Sequence, residues 1–371
     1  MKIAFIVHDY HQSGGHSRYV TELARRFSSE HEVHVFANGI HENGATKIKF
    51  HRVPAWRLSA LTTIFTFLLP ATEQVNGSFD IVHAQGLCSL RSDVITAHIC
   101  NRAWFEARQK NDGAVPLKEH LFDRLVSPLE KRLYRSAKKN LVIAISEKTR
   151  RELTRYYGRA TQTTVIHHGV DINQFNPANR GLYRKDVLSQ LGLSNDDFVF
   201  LFVGDLRKGA RTAIKAMENL KGAKLVLVSR TQPASYQQCA EELGVGDRVI
   251  ICPPTDSIER YYGAADAFVF PTPYDAFGMV ISEAMAAGLP VITSREAGAA
   301  ELITHQQNGL LLDSPADTGE IAQCMKRLIE DSEFCKTLGQ SAREKMQSCT
   351  WDKVAEQTME VYRQVVAGRS K

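Results

Sequence analysis

Two carboxylates bracket a glycine in the run Asp275-Ala-Phe-Gly-Met-Val-Ile-Ser-Glu283. An apolar strand run, Ala267–Pro271, leads into it and a helical stretch, Met279–Ala287, leads out. Gly278 lets a ligand approach the backbone, and the unpaired N–H groups of a helix start attract phosphate or sugar oxygens. Asp275 can accept hydrogen bonds from hydroxyls, and Glu283, about one turn into the helix, suits a vicinal diol such as a ribose. The plainer account makes Asp275 a helix cap and Glu283 a surface residue, and spacing alone does not separate the two. A second group is Val203-Gly204-Asp-Leu-Arg207-Lys208-Gly209, where a buried strand ends in two cations. Arginine offers a forked donor to phosphate and lysine a mobile charge. Together they can neutralise a diphosphate as its charge develops. A solvated loop is the alternative, but the carboxyl end of a strand is where open α/β sheets bind ligands.

Gly14-Gly15 after the first strand is not G-x-G-x-x-G, and alone it also fits a tight turn. Among the 13 histidines, His98 closes the run Val94-Ile-Thr-Ala-His98 and is expected to reach the ligand cleft. A buried histidine satisfied by one hydrogen bond is the competing account. His83, inside Val82-His83-Ala84, reads as structural, and His167-His168 carry no assigned chemistry. No metal-ligand spacing and no D-x-D pair occurs, so no metal is expected. The seven cysteines show no C-x-x-C pair and an odd count, which argues for a reduced, cytosolic protein.

These residues need a scaffold. Lys2–His8, Glu32–Ala37, Phe79–Ala84, Asp93–His98, Leu141–Ile145 and Thr164–His167 read as strands, and Ser17–Phe27 as a helix. The opening Met-Lys-Ile-Ala-Phe-Ile-Val run is too short for a signal peptide or a spanning helix. A long helical region, 101–140, is expected to break at Pro116 and Pro128. A polar stretch after Asp171 marks an interdomain linker. Strand runs then resume at Phe198–Val203, Lys224–Ser229, Arg248–Cys252, Ala267–Pro271, Pro290–Thr293 and Gly309–Leu312, with helices at Glu259–Ala264 and Met279–Ala287. The expected fold is α/β, two doubly wound Rossmann-like domains facing across a cleft. Their expected bounds are 1–175 and 176–354, with a terminal helix from about residue 355 returning to the first domain.

The run Asp275–Val291 resembles the donor-site signature of retaining glycosyltransferases with two Rossmann-like domains (the GT-B fold, glycosyltransferase family 4). That family includes sucrose, lipid and lipopolysaccharide-core transferases. Gly14-Gly15, Phe79-Asp-Ile-Val-His-Ala84, Ala144-Ile-Ser146, His168-Gly-Val-Asp171, Val203-Gly204, Arg207-Lys208-Gly209 and Tyr261-Tyr-Gly-Ala-Ala-Asp266 match further segments in order. The resemblance implies that Arg207 and Lys208 hold the donor diphosphate and Glu283 the ribose. Asp275 and the backbone of Ala276, Phe277, Gly278 and Met279 would hold the transferred sugar, with Gly14 and Gly15 nearing the phosphates and His98 the sugar. It also implies a UDP- or GDP-sugar donor and no metal or other cofactor. Attack would come from the front face with configuration retained, the leaving phosphate helping to deprotonate the acceptor, and domain closure would exclude water. Three departures stand out: Asp275 replaces the usual Glu, the Gly204–Lys208 loop is shorter than usual, and Arg230 follows a strand lacking the customary glycine.

Residues 1–190 hold 27 Lys and Arg against 17 Asp and Glu, and the rest 19 against 24. A basic half fits an anionic partner or merely a solvated face. Trp56–Pro70 is rich in Leu, Ile and Phe, and the basic stretch Lys118–Lys139 carries Leu121, Leu125, Leu129 and Leu133 at helical spacing. Both could simply pack on the first sheet. Together with the charge they point to peripheral contact with an anionic membrane at its inner, cytoplasmic face, and the family resemblance implies a glycan or lipid-linked acceptor. Nucleic acid is not an expected partner. A hydride-transferring enzyme would need the absent G-x-G-x-x-G with its acidic ribose ligand. A same-fold epimerase, a phosphorylase or a non-catalytic nucleotide-sugar-binding protein stays open beside the transferase.

Overall fold

In Lys2–Ile6 (β1) every residue from Ile3 to Ile6 is fully buried. A strand buried on both faces calls for a parallel sheet covered by helices, and the chain builds two of these. The structure, a computed structural model, describes residues 1–12, 14–41, 47–75, 79–112, 115–136, 141–158 and 162–369. One compact unit is Met1–His168 with Trp351–Lys371, the other Gly169–Thr350.

The first unit continues from β1 through β2 (Asp9–Tyr10), α1 (Gly15–Phe27), β3 (Glu32–Ala37), β4 (Gly39–Ile40), β5 (Lys49–Arg52), α2 (Ala60–Gln74), β6 (Ile81–Gln85) and β7 (Val94–Ala97). It then runs through α3 (Asn101–Asp112), α4 (Leu117–Ser136), β8 (Leu141–Ala144), α5 (Glu147–Tyr157) and β9 (Thr163–Val165). Its main sheet is parallel, in the order β5-β3-β1-β6-β7-β8-β9. The chain builds outward from β1 on one side, then returns to lay β6 against its other side. That jump between β1 and β6 opens a crevice at the strands' carboxyl ends. Phe67 and Ala71 of α2 pack against Ile6, Phe36 and Ala84.

The second unit comprises α6 (Asn179–Gln190), β10 (Phe198–Val203), α7 (Ala210–Ala216), β11 (Ala223–Val228), α8 (Ala234–Glu242), β12 (Val249–Cys252), α9 (Glu259–Ala264) and β13 (Ala267–Phe270). After these come α10 (Met279–Ala286), β14 (Val291–Ser294), β15 (Leu310–Leu312), α11 (Thr318–Glu330) and α12 (Ser332–Met346). Its sheet is parallel in the order β12-β11-β10-β13-β14-β15, so the corresponding jump lies between β10 and β13. The last helix, α13 (Trp351–Arg369), belongs to the first unit. There Tyr362 Oη lies 2.6 Å from His83 Nδ1, and Arg26 Nε donates to Asp352 at 2.6 Å.

Two expectations need correction. The unit boundaries fall at 168/169 and 350/351 rather than 175/176 and 354/355. Residues 171–176 are polar, yet the Phe175 ring packs on Tyr262 at 5.4 Å and Arg343 Nη1 donates to the carbonyls of Ile172 and Phe175. The supposed linker is thereby part of the second unit and runs into α6, whose Arg180 and Arg184 pair with Asp266. Pro116 precedes α4, but Pro128 sits inside it without ending it. An interior proline costs about 3 kcal/mol; here burial of Val126, Glu130, Leu133 and Tyr134 holds the helix on both sides of it. The expected helical residues 137–140 lie outside the described residues. Of α4's leucines, Leu121 and Leu125 are exposed and Leu133 is buried, on the face that also carries Asp123, Val126, Ser127 and Glu130. Among the described residues no helix is long and apolar enough to cross a membrane.

Candidate functional site

In the second unit, the loop after β13 is held by its neighbours before it reaches α10. Thr272 Oγ1 donates to the Tyr274 carbonyl, and Ser294 Oγ donates to the Thr272 carbonyl. Asp275 forms a parallel bridge with Ala297, its N–H donating to the Glu296 carbonyl and its carbonyl accepting from Gly298. Gly278 then turns the chain into α10 at φ +90°, in the left-handed region that favours glycine. Gly278 is therefore the helix cap, and Asp275 lies outside the helix; its Oδ1 accepts from the Phe277 N–H at 3.2 Å.

The neighbouring loop, after β10, is pressed against this one. Gly209 has φ +99°, and a Cβ there would collide with the Pro271 carbonyl. The close approach puts Lys208 Nζ on Asp275 Oδ2 at 2.6 Å. Two residues 67 apart in sequence thus meet at the sheet's switch point. Arg207 turns its guanidinium onto Asp205, with Nε 3.0 Å from each carboxylate oxygen and Nη2 2.5 Å from Oδ2. Thr231 Oγ1 adds a hydrogen bond to Asp205 at 3.1 Å and so ties the loop after β11 to the loop after β10. Burial raises the Asp205 pKa, but Arg207 and Thr231 outweigh it and hold the group at about 2. Gly204 ends β10 with φ +130°. Arg230 is exposed just beyond β11.

Glu283 is not a surface residue. It is 7 % exposed, on the inner face of α10, and accepts from Tyr262 Oη at 3.1 Å. The second unit thus gathers Gly204, Arg207, Lys208, Asp275 and Gly278 on two adjacent loops, with Glu283 one turn along the helix that the second loop starts. An anion would find here two cations and the first-turn N–H groups of α10; a polyol would find two carboxylates.

Gly14, Gly15 and His98 belong to the first unit. Gly14 caps α1 at φ +84°, and Gly15 begins the helix. His98 follows β7 and is 5 % exposed. Its Nε2 lies 2.8 Å from Gln85 Oε1, and its ring lies 4.2 Å from that of His16. Burial, with His16, His168 and His83 nearby, pushes its pKa well below 6.5, so the ring is neutral. His98 lines a cavity of about 310 Å³ at the β1–β6 switch point. Glu130 lines it too, accepting from Asn101 N, Asn101 Nδ2 and Tyr157 Oη at 3.1, 2.9 and 2.5 Å. Burial lifts the Glu130 carboxyl to about 7.

Sequence reasoning missed Asp205, Tyr262, Gln85 and Glu130. Asp205 stood inside the cationic motif and carried a local signal; the other three become functional candidates only through contacts made far along the chain.

Residues 13–174 match the family described as Glycosyltransferase Family 4, and residues 184–345 match Glycosyl transferases group 1. An uncharacterised glycosyltransferase of Methanocaldococcus jannaschii is 29% identical over 60% of this chain and 59% of its own length. A D-inositol 3-phosphate glycosyltransferase of Salinispora arenicola is 30% identical over 58% of this chain and 52% of its own. The matched region therefore spans only half to three-fifths of those relatives. Among solved structures, WaaG, a glycosyltransferase involved in lipopolysaccharide biosynthesis, superposes with a TM-score of 0.81 at 18% identity over 97% of this chain and 99% of that one. Anabaena HepE in complex with UDP-glucose gives 0.74 at 22% identity over 98% and 100%. Both share the fold of two Rossmann-like domains.

Proposed function

Since the chain belongs to the glycosyltransferases that join a family 4 domain to a group 1 domain, we propose that it moves a hexose from a nucleoside-diphosphate donor to a hydroxyl of a glycan or glycolipid acceptor. The observation that carries this reading is the Lys208–Asp275 contact at the β10–β13 switch point. There a phosphate-binding cation and a sugar-binding carboxylate share one site, as a sugar diphosphate requires. When the donor enters, its diphosphate takes Lys208 and Arg207 from their carboxylates. The released Asp275 then accepts from sugar hydroxyls, while Glu283 takes the ribose diol. As the glycosidic bond breaks, charge grows on the diphosphate, and the two cations with the α10 N–H groups stabilise it without a metal. No pair of carboxylates is assigned as nucleophile and acid, so front-face attack with retained configuration is the mechanism proposed. The UDP-glucose complex of Anabaena HepE favours a uridine donor. The role of WaaG favours a cell-envelope acceptor, with this protein working at the cytoplasmic face of a membrane.

Contact with an anionic membrane is part of the proposal. Leu117, Leu121 and Leu125 are exposed on α4, as are Phe65 and Leu69 on α2, and Lys131, Arg132 and Arg135 line one hollow of α4. Co-sedimentation with anionic vesicles but not neutral ones is expected; equal recovery in both supernatants would remove this part. The central test is a melting screen against nucleotide sugars, followed by turnover with the best ligand in the presence of a chelator and analysis of the product's anomeric configuration. A ligand bound only by the folded state raises the melting temperature. An inverted product would end the front-face mechanism, and loss of activity with chelator would end the metal-free one.

A further inference from the structure

The loop after β10 carries a carboxylate where a diphosphate is expected to bind. Asp205 Oδ1 accepts from the Arg207 N–H at 3.0 Å and from Thr231 Oγ1 at 3.1 Å, while both oxygens face the Arg207 guanidinium. The turn is anchored from both sides. Leu206 is buried, its N–H donates to Thr231 Oγ1 at 3.2 Å, and the Thr231 N–H donates to Ser229 Oγ at 3.0 Å. The Arg207 side chain, 59 % exposed, can swing toward a ligand, but the anchored carboxylate cannot follow it. Such a turn needs only an acceptor at position 205, and asparagine or serine supplies one without a charge. The negative charge is therefore not demanded by the local fold, and it opposes an anion. Although burial works against it, Arg207 and Thr231 keep Asp205 at about 2, so the charge is present at every working pH. Across the two loops Asp205 and Asp275 offset Arg207 and Lys208 charge for charge.

We propose that Asp205 is a fixed competitor for Arg207 that limits the protein's hold on the nucleoside diphosphate it produces, and so speeds product release. The donor's diphosphate is a diester with about two charges; the product carries about three at neutral pH, because its terminal phosphate ionises a second time near pH 6. A fixed negative charge beside the diphosphate therefore repels the product more than the donor. The reaction itself creates the difference. The electron pair of the broken sugar–oxygen bond stays on the phosphate, and the extra charge appears once the acceptor's proton has passed to water. Repulsion thus rises at the moment the product must leave. Asp275 differs in this respect, since on the proposed reading it is handed from Lys208 to the sugar hydroxyls, whereas Asp205 stays tied to Thr231 and its own turn. Asp205 is then a specificity-determining residue that separates product from donor. The proposal rests on the donor reading given above.

The test is calorimetric binding of uridine diphosphate and guanosine diphosphate to the full chain, with the donor KM measured beside it. Asp205→Asn should tighten the better-bound diphosphate about tenfold and lower the donor KM about half as much, in the ratio set by their charges. Asp205→Ser also keeps an acceptor for the Arg207 N–H and should do the same, so the proposal stays testable if the asparagine variant folds poorly. Tighter binding is a gain that loss of structure does not produce. If Asp205 served only to position Arg207, both variants would bind the diphosphate more weakly. Weaker binding, or affinity within about twofold of the unaltered protein, would overturn the proposal. If neither diphosphate binds the unaltered chain or the variants, the donor reading itself fails; binding that the variants do not tighten removes only the role given to Asp205.

Discussion

Replacing Lys208 by methionine keeps the length of the side chain and removes its charge. In the resting protein Lys208 is 40 % exposed and Asp275 is 13 % exposed. The substitution therefore leaves a mostly buried carboxylate with one backbone donor, the Phe277 N–H. A fully buried pair broken on one side costs about 3–5 kcal/mol; the exposed ammonium here reduces that to about 1–2 kcal/mol. In a unit the size of Gly169–Thr350, about 2–4 °C per kcal/mol gives a melting loss of about 2–8 °C. The effect on turnover should be larger, because the lysine's main partner in the proposed reaction is the leaving diphosphate. Removing one such electrostatic stabiliser lowers kcat about 10²–10³-fold, or about 2.7–4 kcal/mol. The assay is nucleoside diphosphate release at saturating donor, beside a thermal melt of the same preparation. Lys208→Met with Asp275→Asn should recover most of the lost stability and none of the turnover, since the unpaired charge is gone but the phosphate ligand is still missing. If Lys208→Met keeps kcat within about threefold of the unaltered enzyme, the assignment of Lys208 to the diphosphate is wrong.

Three further outcomes follow from the same geometry. Asp275→Glu should cost activity, because the longer side chain no longer fits the Lys208 contact at 2.6 Å; a variant with raised kcat/KM would contradict this. Tyr262→Phe removes the hydroxyl that orients Glu283 and should raise the donor KM about three- to tenfold with little change in kcat, by about 1 kcal/mol of lost positioning; an unchanged KM would show that Glu283 needs no such support. The first unit should be acid-sensitive. Burial lowers the pKa values of His83 and His168 to about 3, those of His8 and His16 to about 4, and that of His98 well below 6.5, so the unfolded chain takes up protons that the fold refuses as pH falls below 6.5. Glu130, raised to about 7 by burial, works the other way and offsets one histidine. Five histidines less one carboxyl leave a net of about four protons, or about 5 kcal/mol lost per pH unit between 6.5 and 5. Urea titrations at pH 7, 6 and 5 should show it, and a flat stability across that range would refute it.

How much of this was legible in the sequence varies by kind of feature. Strands such as Phe198–Val203 read directly, because burial on both faces demands an unbroken apolar run. The edge strand Lys49–Arg52 left no such run: Lys49 and Arg52 are exposed and Phe50 and His51 only half-buried, so its pattern is that of a loop. The segment 171–176 misled for the opposite reason. Its polar side chains satisfy their own turn, with Asp171 Oδ1 accepting from the N–H groups of Asn173 and Gln174, while one buried ring, Phe175, decides which unit it joins. Within the site, chemistry was readable where it was contiguous, as in Arg207-Lys208-Gly209. Partnership was not: Tyr262 reaches Glu283 across 21 positions and His98 meets Gln85 across 13. The order of strands in a sheet is likewise not written locally, yet it alone places the loops after β10 and β13 side by side.

That adjacency changes the meaning of two departures that the sequence presented as separate. One was an aspartate where the family resemblance leads one to expect glutamate; the other was a short loop from Gly204 to Lys208. In the folded unit both bear on a single contact. The short loop is drawn in by Gly209, whose missing Cβ lets it lie against the Pro271 carbonyl, and this carries Lys208 toward the second loop. A carboxylate one methylene shorter then meets the ammonium at hydrogen-bonding distance while its other oxygen stays tied to the Phe277 N–H. A longer side chain would have to give up one of these two bonds or push the loops apart. The loop and the acid therefore meet in one contact, and a change in either alters the fit of the other. The consequence for the donor is concrete: the carboxylate that would grip the sugar is set back by one methylene and starts out bound to the cation that would grip the phosphate. On the proposed reading, sugar and diphosphate are then engaged together, since neither ligand group alone replaces both partners of the resting pair.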